Sequence, residues 1–284
     1  MENKNWKCRI APSLGGGFEG TPESAWGTEE YGAGGVDHSN LSVVFFGLYG
    51  LPDFFTLWNH KGKKACLWAG SDITHFLNGY WLDEKGKIKI SPKSLAIWIN
   101  NYVDNYVENE VEQVALAKLG IESKVVPSFL GNVNDFPLSF KPQEKIKLYT
   151  SVSGNDFNTY GWNKIYKFAQ DNPDIDFYLY GNTIPFPIPE GFVNIFIRGR
   201  MEKEEMNSEI KQMTGALRLT EFDGFSELIA KSLLWGQWPV SIIYYPGTIR
   251  VECIKYLKDF IKKPNKTGRE WLIKSLNKYP WNIK

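Results

Sequence analysis

Leu217-Arg218-Leu219-Thr220-Glu221-Phe222-Asp223-Gly224-Phe225-Ser226-Glu227-Leu228-Ile229-Ala230-Lys231-Ser232-Leu233-Leu234-Trp235-Gly236-Gln237-Trp238-Pro239-Val240 is the stretch on which the reading of the fold turns. It scans as a strand over 216–219, a tight loop, a helix over 226–235, a turn and a strand over 239–244. Gly224 lets the loop turn sharply, and Asp223 or Ser226 can cap the helix. The N–H groups at a helix N-terminus attract an anion such as a diphosphate. An open α/β sheet binds ligands outside the carboxyl ends of its strands, where this loop lies. Glu227 and Lys231 stand at i,i+4. The spacing allows a surface ion pair worth ~0.3–0.5 kcal/mol, or a Lys231 that turns inward to a phosphate or ribose oxygen.

Working outward, the same alternation recurs. Strands are expected at 147–152, 176–180 and 192–197, with helical stripes on Trp162, Ile165, Phe168 and Ala169 and on Met206, Ile210 and Met213. Residues 249–262 read as a helix through Ile254, Leu257 and Ile261, and a last helix runs over 269–277. Strands separated by helices of this length mean βαβ units and a parallel sheet. The first half repeats the layout. It has an apolar strand at 41–47, a helix opened by Pro52, a strand at 64–69 and a helical turn at 73–77. A short strand is expected at 6–12, a short helix capped by Thr21 or Ser24 and running through Trp26 to Tyr31, an insertion or hairpin over 79–90, a helix over 108–120 and a strand at 125–126. Residues 94–99 and 102–107 stay ambiguous between helix and strand. The loop formers of 131–144 mark a domain boundary. The expected domains are 1–135 and 136–265, followed by a C-terminal helical segment, 266–284.

Composition narrows the function classes. Lys+Arg 33 against Asp+Glu 32 leaves a formal charge of +1, a poor match to a nucleic-acid binder that works by neutralising phosphates. Cys8, Cys66 and Cys253 are isolated, so neither a disulfide scaffold nor a zinc site is expected. No apolar run approaches the ~18 residues of a membrane span, and Met1 is followed by Glu-Asn-Lys-Asn. A soluble cytoplasmic protein without a metal or organic cofactor is the expectation.

Several elements carry a family resemblance. They are Glu108-Asn109-Glu110 through Gly120-Ile121 into Val125-Val126-Pro127, Lys147 to Ser151, Phe177 to Gly181, Ile197-Arg198-Gly199-Arg200-Met201, and Leu217 to Val240. In this order they resemble the C-terminal half of GT-B-fold glycosyltransferases, above all the retaining nucleotide-diphosphate-sugar families (group 1, family 4 type). Trp68-Ala69-Gly70-Ser71-Asp72-Ile73 is similar to the Gly-Ser-Asp that follows a strand in their N-terminal domain. The likeness spans about residues 40–245. It implies an α/β, GT-B-like architecture of two doubly wound Rossmann-like domains facing across a cleft. The donor would belong to the second domain and the acceptor to the first, with a final helix crossing back. It implies metal-independent sugar transfer to a glycan, a lipid-linked or a small-molecule acceptor, with peripheral membrane contact left open.

The candidate residues follow. Asp72 and His75 could orient an acceptor hydroxyl or act as base, although Asp72 could equally cap the helix from Ile73 and His75 could be structural. Arg198, Gly199 and Arg200 lie at a strand end, where guanidinium groups grip phosphate two-pronged, and Arg218 sits close to the loop. Asp223, Gly224, Phe225, Ser226 and Glu227 form the expected diphosphate loop. Gly16 and Gly17 in the glycine-rich 15–20 segment, and Ser153 and Gly154 after the 147–152 strand, let backbone approach a ligand. The resemblance places carboxylates at the positions of Asp223 and Lys231, so Lys231 departs from it. The usual Arg and Lys after the first strand of the second domain are also missing, with Tyr160-Gly161 in place of a Lys-Gly. Lys164, Arg198, Arg200 and Lys231 are the nearest cations to replace them. An idle nucleotide- or glycan-binding protein, or a sugar-nucleotide epimerase, are the rival readings.

Overall fold

The computed structural model describes residues 6–14, 18–78, 92–151, 161–181, 188 and 190–282. Gly16, Gly17, Ser153, Gly154, the expected hairpin at 79–90 and most of the proline-rich 184–189 lie outside these residues. By its own contacts the chain divides into two compact units. The first holds Met1–Asn132, Phe222–Phe225 and Lys274–Lys284, and the second holds Val133–Glu221 and Ser226–Ile273.

The first unit is built on six parallel strands: β1 (Trp6–Ile10), β2 (Glu29–Glu30), β3 (Ser42–Phe46), β4 (Lys64–Leu67), β5 (Asp104–Val107) and β6 (Lys124–Val125). They lie in the order β2-β1-β3-β4-β5-β6. The strands alternate their side chains between two cores because successive Cβ atoms point to opposite faces. Val43, Phe45 and Cys66 join a cluster with α2 (Leu51–Asn59), α3 (Ser71–Asn78), α4 (Pro92–Tyr102) and α5 (Glu110–Ala117). Val44, Phe46, Ala65 and Leu67 face the other way, onto Trp26 of α1 (Pro22–Trp26) and onto Tyr279 and Trp281. The ambiguous 94–107 region resolves as α4 followed by β5. Leu95, Ala96 and Ile99 bury a helical stripe, and β5 inserts beside β4. The short helix expected through Trp26 to Tyr31 ends earlier and spans Pro22–Trp26. Thr21 caps it, and Gly27, in the left-handed region at φ 74°, ends it before β2.

The second unit has the order β12-β11-β10-β7-β8-β9, again all parallel. Its strands are β7 (Lys147–Ser151), β8 (Asp176–Tyr180), β9 (Ile195–Gly199), β10 (Gly215–Arg218), β11 (Val240–Ser241) and β12 (Ile249–Arg250). The helices are α6 (Trp162–Asp171), α7 (Lys203–Ile210), α8 (Glu227–Trp235), α9 (Leu257–Phe260) and α10 (Lys266–Leu276). The helix expected over 249–262 is corrected here. Ile249 and Arg250 pair with β11, Val251–Tyr256 form a 3-10 turn, and only Leu257–Phe260 is α-helical. A sheet edge offers Ile249 a ladder that its apolar spacing does not reveal.

Helix α8 is the buried axis of this unit. Every residue from Leu228 to Trp235 is buried. The Ser232 hydroxyl accepts the Ala216 N–H of β10 at 3.2 Å. Beyond the Gly236 cap, Gln237 closes the floor. Its amide nitrogen donates to the Ile210 and Met213 carbonyls, and its oxygen accepts the Tyr149 hydroxyl at 2.8 Å. A helix apolar all round has no solvent face. Lys231 therefore lies on the interior side of the helix and not on an exposed face.

Candidate functional site

In the second unit the candidate groups are cations. Arg198, on the last turn of edge strand β9, is exposed, and its Nε lies 2.9 Å from Oε1 of Glu209. Arg200 follows Gly199 and is also exposed. Arg218 ends β10 half-buried. Lys231 is only 6% exposed, and its Nζ donates to Asn207 Oδ1 of α7 at 2.9 Å. Lys164 is exposed and pairs with Glu221 at 2.6 Å. Ser226 occupies the N-cap position of α8 but makes no side-chain capping bond, so this half of the capping expectation is corrected.

In the first unit the candidates are acids, and most are buried. Asp72 is fully buried, and its two oxygens take the backbone N–H groups of Leu48 and Ala69, each at 3.0 Å. It therefore ties the loop after β3 to the residue that precedes Gly70 and α3, and it lies inside that helix rather than at its cap. Burial is the main cause that lifts its carboxyl to about 6, against the hydrogen bonds that favour ionisation. His75, on the same helix, is exposed, with its ring 5.8 Å from that of Tyr49. The Tyr49 hydroxyl donates to the Ala69 carbonyl at 3.1 Å and lies 3.2 Å from the Ser71 hydroxyl. His38 and His60 are loop residues but buried, grouped with Tyr31.

The expected diphosphate loop has another occupant. Phe222–Phe225 belongs to the first unit. Phe222 packs against that unit's helix-side core. The Phe225 N–H donates to Glu108 Oε2 at 2.8 Å, and the Asp223 carbonyl accepts from Asn109 Nδ2 at 2.7 Å. A Cβ on Gly224 would overlap the Glu108 carboxylate. Gly70 stands at φ 77°, and a Cβ there would lie 2.7 Å from the Gly224 nitrogen. Glycine is thus required at 70 for backbone angle and closeness, and at 224 for closeness alone. The expectation that N–H groups around Gly224 hold a diphosphate is corrected at Phe225, whose N–H already has an internal carboxylate.

Glu108 and Asn109 belong to an element that carries the family resemblance, but neither they nor Glu112 were among the candidate site residues. The signal for the first two was the Glu108-Asn109-Glu110 run that leads into α5. Asn109 does cap α5 through Glu112 N–H at 3.0 Å, and Glu112 Oε2 accepts the Glu108 N–H at 2.7 Å. Both acids are buried. Burial raises Glu108 to about 8 and Glu112 well above the usual range. Among the described residues no cluster of His, Cys, Asp and Glu is arranged to hold a metal.

Against solved structures this arrangement has clear likenesses. TarM superposes with a TM-score of 0.52 over 83% of this chain and 52% of its own, at 11% identity. Sucrose-phosphate synthase from Thermosynechococcus elongatus gives 0.56 over 83% and 69%, at 11% identity. Anabaena HepE, in complex with UDP-glucose, gives 0.52 over 83% and 74%, at 9% identity. The fold is GT-B. This GT-B chain spans about half the length of TarM (52%). No family model and no curated protein matches its sequence. No helix among the described residues is long and apolar enough to cross a membrane.

Proposed function

We propose that this GT-B protein transfers a sugar from a nucleoside-diphosphate sugar to a hydroxyl of a glycan, lipid-linked or small-molecule acceptor. The observation that carries the proposal is the cationic set of the second unit, exposed Arg198 and Arg200 with buried Lys231, in a GT-B fold. As the glycosidic bond to the donor breaks, negative charge collects on the leaving diphosphate. Preorganised cations lower that barrier, and bidentate guanidinium contacts are the strongest of the available kinds. The proposal gives this work to Arg198, Arg200 and Lys231, without a metal. HepE's UDP-glucose favours a uridine donor as the first to try. In the first unit, His75 is the acceptor-side base of choice, because it is exposed while Asp72 is committed to backbone. Retention of configuration follows from the family resemblance alone.

The test is calorimetric titration with UDP, GDP and TDP, followed by transfer assays with the matching sugars. Arg198→Ala is expected to weaken nucleotide affinity about tenfold, the size of one lost charge-assisted contact. Unchanged affinity would remove Arg198 from the donor site. His75→Ala should lower turnover ~10²-fold or more with nucleotide affinity retained. The idle-binder reading has one observation of its own. The carboxylate that sequence offers as base, Asp72, is buried and fully engaged. Nucleotide binding without turnover across the whole sugar panel would favour it.

A further inference from the structure

One corner of the first unit gathers an aromatic ring, a hydroxyl and an imidazole. Tyr49 and Ser71 follow the carboxyl ends of β3 and β4, the end of a parallel sheet where ligands bind. Ser71 and His75 stand at i and i+4 of α3 and share one face of that helix. Tyr49 joins the two. Its hydroxyl takes the Ser71 O–H at 3.2 Å, and its ring centroid lies 5.8 Å from that of His75, with the planes at 61°. Tyr49 is itself held at both ends. Its backbone N–H donates to Asp53 Oδ2 at 3.0 Å, and Asp53 pairs with Arg9 at 2.8 Å. Its hydroxyl donates to the Ala69 carbonyl at 3.1 Å. The ring lies close over Gly47, where a Cβ would come within 2.8 Å of its Cε2. Tyr49 is half-buried, whereas Ser71 and His75 are exposed. A fixed aromatic plate therefore borders a presented hydroxyl and a presented imidazole.

The charge behind this corner is acidic. Asp72, Glu108 and Glu112 are buried. Burial, and next the charge of Asp72, lifts the Tyr49 hydroxyl above its ordinary value, with Glu108 and Glu112 adding to it. Negative charge at the back repels a phosphate or carboxylate at the front. A neutral sugar meets no such penalty. It has hydroxyls for Ser71 and His75 and a C–H face for an aromatic ring. We infer that Tyr49, Ser71 and His75 form the acceptor site and that the acceptor is a neutral sugar, its C–H face on the Tyr49 ring and its reacting hydroxyl between Ser71 and His75. The inference rests on the transfer reading given above. The hydroxyl gives its proton to the unprotonated imidazole of His75, its oxygen bonds to the anomeric carbon of the donor, and the diphosphate leaves with the electron pair of the bond it held. His75, being exposed, returns the proton to water.

Imidazole NMR of the full-length protein tests the site without any donor. The chain has three histidines. His38 and His60 are buried, so their signals serve as internal references for His75, which His75→Gln assigns. Methyl glucoside and methyl N-acetylglucosaminide should move the His75 signal alone. Glucose phosphate and glucuronate should bind there about tenfold more weakly. Tyr49→Leu should weaken the neutral glycosides about tenfold and Ser71→Ala about fivefold, the sizes of a lost aromatic contact and a lost neutral hydrogen bond, with UDP affinity unchanged. If Tyr49→Leu does not fold, Ser71→Ala carries the same test. A charged sugar that binds as tightly as the neutral ones would overturn the neutral acceptor. Glycosides that leave His75 unmoved, or that bind both variants as tightly as the wild type, would overturn the site, even if the protein turns over a nucleotide sugar. Glycoside binding at His75 with no turnover of any donor sugar would sink the transfer reading and leave the sugar site standing.

Discussion

The two units treat charge in opposite ways. At the carboxyl ends of β4 and β5, Asp72, Glu108 and Glu112 are buried, with oxygens turned onto backbone N–H groups. At the end of β9, Arg198 and Arg200 are exposed. The same position in a parallel sheet, the strand end where ligands bind, is thus filled with the chain's own atoms in one case and presented in the other. A charged group at such a place is a ligand contact only if its hydrogen-bonding capacity is not already used within the fold. Burial of an acid without a cation is costly, so each of these acids needs its backbone partners, and removal of one side of the pair should be felt in stability. Removal of an exposed guanidinium should be felt in binding.

The largest effect is expected where the first unit is closed by the chain's end. Trp281 is fully buried, with Tyr106 at 4.9 Å and Trp26 and Trp6 at 6.0 Å between ring centroids. Trp281→Ala should cost ~3–5 kcal/mol, read from urea denaturation of the full chain. A loss below about 1 kcal/mol would mean that the C-terminal segment is not an integral part of that core. Next comes Gly224→Ala, whose new methyl would overlap Glu108. A destabilisation of ~1–3 kcal/mol is expected. The double variant with Glu108→Ala should recover part of it, because the clash partner is gone; strict additivity would break the link between the two residues.

The buried acids give the comparison a pH signature. The folded chain holds the Glu108 proton up to about 8, against an ordinary value of 4.5. Below the lower value both folded and unfolded chains are protonated, so this contribution to stability is fully present. Between the two values only the folded chain keeps the proton, and stability falls as pH rises. Asp72, raised from 3.8 to about 6, adds to the same trend at the lower end of the window. The urea midpoint should therefore decline between these limits, and Glu108→Gln should make it flatter and higher near pH ~8. A midpoint that climbs through this window would show that the acids are ionised and compensated. The smallest effect on stability belongs to Arg198→Ala. Its exposed pair with Glu209 is worth under ~1 kcal/mol. A larger loss would move Arg198 from the presented class to the structural one.

Much of the fold could be read from the sequence. The apolar run Val43-Val44-Phe45-Phe46 and the alternation of 147–152, 162–169 and 176–180 fix parallel α/β units through period alone. The loop at Asp223-Gly224 was also visible, as were Arg198 and Arg200 at a strand end. What failed depended on long-range partners. Ile249 reads as helix until β11 lies beside it. Lys231 reads equally as a surface or an inward-turned residue until α8 is seen buried along nearly its whole length. Glu108 and Phe225 are 117 positions apart, and local spacing cannot reveal such a pair.

The sequence by itself therefore determined the class of architecture and the cationic strand end, because periodicity, glycine placement and residue type are local. The tertiary structure alone decided which charges are spoken for. Phe222–Phe225, flanked on both sides by residues of the second unit, is part of the first. The physical reason is that the Phe225 N–H and the Asp223 carbonyl find their partners in Glu108 and Asn109, and a buried backbone group is committed to whichever partner satisfies it.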